Sequence, residues 1–235
     1  MRSTVIPGAA AVAATLALVL TACGSDSDLE GTPVAEPSTT TTSAQATSPS
    51  AKIAPRDEDP AGPNPTIATY IAENGISETP VKRGDPGSPN IDLPIPEGWQ
   101  DAGPDTPEWA YGAIVYTGPE ATEYTPSIVA IVSKLTGNVD PQAIIDAAPG
   151  ELQNLPGWSA MNDGSTSTLG NYPAYELGGT WQSEGQAKLV AQKTVVIPGP
   201  DGVFVLQLNV DGLEDQADVI GPATLAIDDE TTIGF

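Results

Sequence analysis

From Val203 to Val210 the chain alternates without a break, with Phe204, Leu206, Leu208 and Val210 on one parity and Val205, Gln207 and Asn209 on the other. A period of two places successive side chains on opposite faces of a strand. Pro198 to Gly202 joins this run to a second apolar stretch, Ala187 to Ile197, so the pair predicts an antiparallel hairpin. Further strands are expected at Trp158 to Thr168 and Tyr172 to Trp181. Trp109 to Thr117 and Ser127 to Leu135 carry apolar residues at both parities, the pattern of central strands covered on both faces. Val81 to Arg83 and Asn90 to Ile95 are short and proline-interrupted, which suits edge strands.

Three helices punctuate these strands. Thr66 is placed to cap a short one whose Ile67, Tyr70 and Ile71 share a face before Asn74-Gly75 ends it. Asp140-Pro141 opens a second, with Ile144, Ala148, Leu152 and Leu155 on one face and a kink expected at Pro149. Glu214 to Ile227 forms the third, presenting Ala217, Ile220, Thr224 and Ile227, with acids in its first turn and a weakness at Gly221-Pro222. The order helix, strands, helix, strands, helix predicts an α+β domain, an antiparallel sheet packed between helices.

That domain is expected over residues 66–235 only. Residues 1–22 have the order of a secretory signal: Arg2, an apolar run from Ile6 to Val19, then small residues. The run closes on Leu20-Thr21-Ala22-Cys23, the pattern at which a diacylglycerol thioether forms and cleavage precedes the cysteine. Cys23 is the chain's single cysteine, so it has no disulfide partner within the chain, and an acyl anchor explains the count. Two or three acyl chains hold a protein on a bilayer, where one would not. Residues 23–65 follow as an expected disordered tether rich in Ser, Thr and Pro. As a flexible coil, roughly 40 such residues span on the order of 35 Å. The location expected is therefore outside the cell, anchored by lipid to the cell membrane and facing the periplasm or cell wall.

From Thr66 onward, five basic side chains face 24 acidic ones, a balance of −19. Such a surface repels phosphate backbones and anionic headgroups, which argues against a nucleic acid partner. Histidine is absent from the whole chain, removing the usual general base and the commonest transition-metal ligand. The acidic runs Asp57 to Asp59 and Asp228 to Glu230 offer hard oxygen ligands but lack EF-hand spacing and read as solvated. No catalytic residue, metal or cofactor is assigned. Seven aromatics at strand ends or beside helices, Trp99, Trp109, Tyr111, Trp158, Tyr172, Tyr175 and Trp181, are the candidate lining of a pocket for an acyl chain or sugar ring. Taken singly, each is more simply read as core; as a group they are the best candidates for a pocket.

Three stretches carry a family likeness: Leu93-Pro94-Ile95-Pro96-Glu97-Gly98-Trp99, the run from Ala148 to Trp158, and Ala226 to Ile233 with its Asp-Asp-Glu-Thr-Thr-Ile ending. With the cysteine signal and tether, they resemble the LpqN/LpqT family of actinobacterial lipoproteins. The resemblance implies a Mog1/PsbP-like α/β/α sandwich and work in a mycolic-acid envelope, with a glycolipid ligand and envelope transport or mycolyl-transfer proteins as partners. It brings no catalytic residues. Three functions follow as expectations: an envelope binder of an amphiphile, a protein-docking module without a small ligand, and a His-free hydrolase, in that order.

Overall fold

Thr66 and Thr69 start the described part of the chain by capping each other. Thr66 Oγ1 accepts from the Thr69 amide at 3.1 Å, and Thr69 Oγ1 from the Thr66 amide at 2.7 Å. This reciprocal pairing satisfies two otherwise orphaned donors at the start of α1 (Ile67–Glu73). Gly75, at φ 60°, turns the chain out of the helix where a side chain would be strained. The computed structural model describes residues 62–183 and 185–235. The signal, Cys23 and nearly all of the tether lie outside them.

The sheet strands are β1 (Ser77–Pro80), then β3 (Trp99–Asp101), β4 (Gly112–Tyr116) and β5 (Ser127–Thr136). They continue with β6 (Ser159–Ala160), β7 (Ser165–Leu169), β8 (Tyr172–Ser183), β9 (Gln186–Gly199) and β10 (Gly202–Leu213). Their order is β3-β4-β5-β10-β9-β8-β6, with β1 beside β4 on the outer edge of β5 and β7 beside β6 on that of β8. Every pair is antiparallel, as expected. The β9–β10 hairpin holds Gly199 opposite Gly202, so Leu206 faces Val195 and Leu208 faces Lys193.

Helices cover both faces, which makes the expected α/β/α sandwich. α4 (Ala217–Glu230) lays Ile220, Ala223 and Ile227 on the face formed by Leu206, Leu208, Val210 and Ile128. α1 and α2 (Pro141–Ala147) pack Ile67, Ile144 and Ile145 against Leu135, Val196 and Val205 on the other face. α3 (Gly150–Gln153) continues that layer with Leu152.

Several expectations shift. Pro149 does more than kink its helix: it divides it into α2 and α3, because its ring removes an amide where the ladder would continue. The edge strand expected at Val81 to Arg83 lies four residues earlier, at β1. Past Val81 the Lys82 amide turns instead to the Asp85 carboxylate at 2.7 Å and starts an Asp-Pro-Gly turn. Only Asn90–Asp92 of the run Asn90 to Ile95 is a strand, β2, and it pairs with the C-terminal β11 (Thr232–Gly234) in a separate small sheet. Trp158 to Thr168 is two strands, broken where residues 161–164 turn.

Candidate functional site: a cleft beneath the last helix

α4 does not close completely on the sheet. A cleft of about 270 Å³ opens between them, floored by Leu208 and Val210 of β10, Ala191 of β9 and Gly178 of β8, with Leu225 and Ile227 above. Small residues make this space. The β8–β9 register sets Gly178 opposite Ala191, where larger side chains would have met α4. Leu225, 65 % exposed, stands at the mouth and meets solvent instead of the sheet.

One end of the cleft is ionic. Lys193 is 9 % exposed and bonds Glu176 Oε2 at 2.8 Å across the neighbouring strand and Asp228 Oδ1 at 2.7 Å on α4. A buried ammonium requires such partners, and here they fasten the helix to the sheet. Ser165 and Ser167 donate their hydroxyls to Glu176 at 3.1 Å each. Partial burial of Glu176 opposes ionisation, but the bond and charge of Lys193 together with the two serines outweigh it and hold the carboxyl below the usual range. Asn162 and Thr224 complete the polar rim.

A second cleft, of about 400 Å³, lies on the same face towards β4 and shares Ile128, Leu208 and Ile227 with the first. Its far end holds Arg83 with Asp92 and Asp101.

The geometry thus offers an apolar trough with hydrogen-bonding ends, and the likeness to known proteins can be set beside it. The sequence model of a family described as probable lipoprotein LpqN matches residues 63–234. This chain belongs to that family. Lipoprotein LpqN of Mycobacterium tuberculosis is 53 % identical over 173 residues, covering 74 % of this chain and 75 % of the relative. A crystal structure described as LpqN involved in cell envelope biogenesis of Mycobacterium tuberculosis matches with a TM-score of 0.70 at 52 % identity, covering 74 % of this chain and all of that one. The fold assignment stands on this LpqN structure. A cyanobacterial PsbP from Synechocystis sp. PCC 6803 is also matched, at a TM-score of 0.40 and 10 % identity, covering 67 % of this chain and 92 % of that one. Membership of the LpqN family makes this chain a lipoprotein by family. Among its described residues no helix is long and apolar enough to cross a membrane.

The seven aromatics expected to line a pocket are not brought together. Trp99, Tyr111 and Tyr172 pack on the α4 side, with Trp99 tilted against Tyr116 at 5.7 Å between ring centres. Tyr111 is buried under the Arg83 guanidinium, 5.2 Å from its ring centre. Trp158, Tyr175 and Trp181 lie on the opposite face with Leu152, Leu155 and Val190. Trp109 is 45 % exposed in the loop before β4. None of the seven lines either α4 cleft. The residues that do are aliphatic or small on the floor and polar or charged at the ends, and sequence reasoning passed over Lys193 and Glu176 altogether. The one legible signal was a lysine at a core-facing parity of β9, two residues from Val195. Asp228, grouped with a solvated acidic run, is instead committed to Lys193.

Beneath α3 lies a second polar cluster, in which Gln192 Nε2 donates to Glu151 Oε2 at 2.7 Å and to Asn209 Oδ1 at 2.9 Å. Gln207 Nε2 also donates to Glu151, at 3.1 and 3.2 Å. These bonds fix α3 on the sheet and explain why a strand face can carry amides there.

Proposed function

We propose that this chain is an exported lipoprotein, anchored by acyl chains at Cys23 and tethered by residues 23–65, whose domain receives the apolar tail of an amphiphilic envelope lipid, glycolipids included, in the α4 cleft. The observation that carries the reading is the cleft's division: an aliphatic floor leading to a rim of Lys193, Glu176, Asp228, Asn162 and Thr224. Apolar tails gain about 0.8 kcal/mol for each methylene withdrawn from water. Association costs about 4–15 kcal/mol in lost freedom. A tail of moderate length is therefore held reversibly, which suits a carrier. The rim carries one positive and two negative groups, so it favours uncharged hydroxylated heads over anionic ones. The role of its M. tuberculosis relative in cell envelope biogenesis supports the same assignment.

The reading is of a binder and not an enzyme. Glu176 is shifted away from neutrality and both rim carboxylates are engaged with Lys193, the reverse of what a general acid or base at pH 7 requires. The test is calorimetric titration of the full chain carrying Cys23→Ser, so that its own acyl chains do not compete, with n-decyl maltoside below its micellar concentration. Saturable one-to-one binding, weakened at least tenfold by Ala191→Leu with the urea midpoint retained, is expected. No binding, or binding indifferent to Ala191→Leu, defeats the reading.

A further inference from the structure

The two clefts on the α4 face are separated by very little. Their linings share Ile128 and Leu208, on adjacent strands of the floor, and Ile227 above them. Ile227 is 3 % exposed and belongs to both walls, so its side chain is the part of α4 that descends between the two spaces. Its position is held from two sides. The Thr231 amide and hydroxyl both donate to the Ile227 carbonyl, at 3.1 and 2.6 Å, and the next residue, Asp228, is fastened to Lys193. A residue so pinned divides the trough at a fixed point.

From this geometry we infer that Ile227 sets the length of tail the protein accepts. The inference rests on the amphiphile reading above. An apolar space of about 150 Å³ admits benzene, which is roughly 25 Å³ per carbon, so the near cleft takes a tail of roughly ten carbons and the far cleft would take roughly sixteen. A tail that fills the near cleft ends against Ile227. Removing the partition joins the near cleft to the space that ends at Arg83, Asp92 and Asp101. Longer tails then run across β10 and β5 under α4.

The experiment titrates the full chain carrying Cys23→Ser with n-alkyl maltosides from hexyl to tetradecyl, below their micellar concentrations. In the parent protein, affinity rises about fourfold per methylene and levels near decyl. In Ile227→Ala the rise continues to the longest tail. Ile227→Val moves the break by a smaller step and serves where the alanine variant fails to fold. Gly112 lines the far cleft, and a Cβ there meets only the Arg83 guanidinium, at 3.6 Å, so Gly112→Val narrows that space. Added to either variant, it restores the early break. A parent protein without a break, or a break at the same length in the Ile227 variants, overturns the inference while leaving the amphiphile reading intact. Absence of binding at every length overturns both.

Discussion

Lys193 permits a prediction in which the direction of the charge removal decides the outcome. Removing the ammonium by Lys193→Met retains an aliphatic stem of similar length and leaves two carboxylates, on Glu176 and Asp228, whose side chains are 41 % and 34 % exposed. Both can be hydrated where they stand, so the loss is that of a semi-exposed ion pair, about 1 kcal/mol or less. Removing both acids by Glu176→Gln with Asp228→Asn leaves the ammonium, on a side chain only 10 % exposed, without a counter-charge. Uncompensated buried charges cost about 3–5 kcal/mol. The amides still offer oxygens to the ammonium, which puts the expected loss near the lower figure, about 3 kcal/mol. For a domain of this size 1 kcal/mol corresponds to about 2–4 °C in midpoint. The double variant should therefore melt at least about 6 °C lower, and Lys193→Met within about 4 °C of the parent. Urea denaturation with linear extrapolation, checked by thermal melts, measures both. If Lys193→Met proved as damaging as the double acid variant, the account of a desolvated cation held by hydrated anions would be wrong.

Other consequences are shorter to state. The depressed Glu176 carboxyl contributes stability that is present above its ordinary value of 4.5 and lost as pH falls through its lower folded value; urea midpoints should drop below about pH 4.5, and less steeply in Glu176→Gln. Gly150→Ala sets a Cβ onto the Pro65 carbonyl oxygen, a backbone atom that cannot rotate away; residues 62–66 should then be cleaved in limited proteolysis at protease levels that spare the parent. Gln216→Ala removes the side-chain bonds that Gln216 makes to the Leu213 amide and to the Glu120 and Tyr124 carbonyls at 2.8–2.9 Å; urea titration should show a loss of about 1–3 kcal/mol. Intact-mass analysis from an actinobacterial host should find acyl chains on Cys23 and none in Cys23→Ser, with the variant moving from the membrane to the soluble fraction.

How much of this was legible in the sequence depended on the range of the interactions. The β9–β10 hairpin was plain, because alternation and its five-residue connection act within 24 residues of chain. Its extension to Gln186–Leu213 was not, since Gln186 and Asp211 gain partners on β8 and β5, and Gly212 and Leu213, past the alternating run, simply follow the register of β9. β2 and β11 were misread or unseen for a stronger reason. Three-residue strands have no period to detect, and these two become strands only by meeting each other across more than a hundred residues of chain. Ser77 to Pro80 likewise becomes a strand, a few residues before the expected Val81 to Arg83, because Ser133 to Thr136 supply the partner. Local capping, by contrast, was read correctly at Thr66 and at Asp140, whose carboxylate accepts from the Gln142 amide at 2.9 Å, because each cap is complete within four residues.

The site was less legible than the fold because the sequence shows what is large and the cleft is made by what is small. Seven conspicuous rings suggested a pocket, yet their bulk is what makes rings efficient at filling cores, and six of them pack on the two opposite faces of one sheet. A void beneath a helix arises where Gly178 and Ala191 come opposite each other in one register. That coincidence belongs to the pairing of β8 with β9, thirteen residues apart at that point, and to the seating of α4 above them. The same logic gives Lys193 its meaning. On a strand of unknown register it is an interruption in an apolar parity; with Glu176 beside it and Asp228 overhead, it is the fastening that holds one side of the cleft in place. Family membership is read from motifs that stabilise the scaffold: the Gly150-Glu151 start of α3 and the Thr231 to Ile233 ending that pins α4. The second of these places α4, and the placement of α4 makes the cleft.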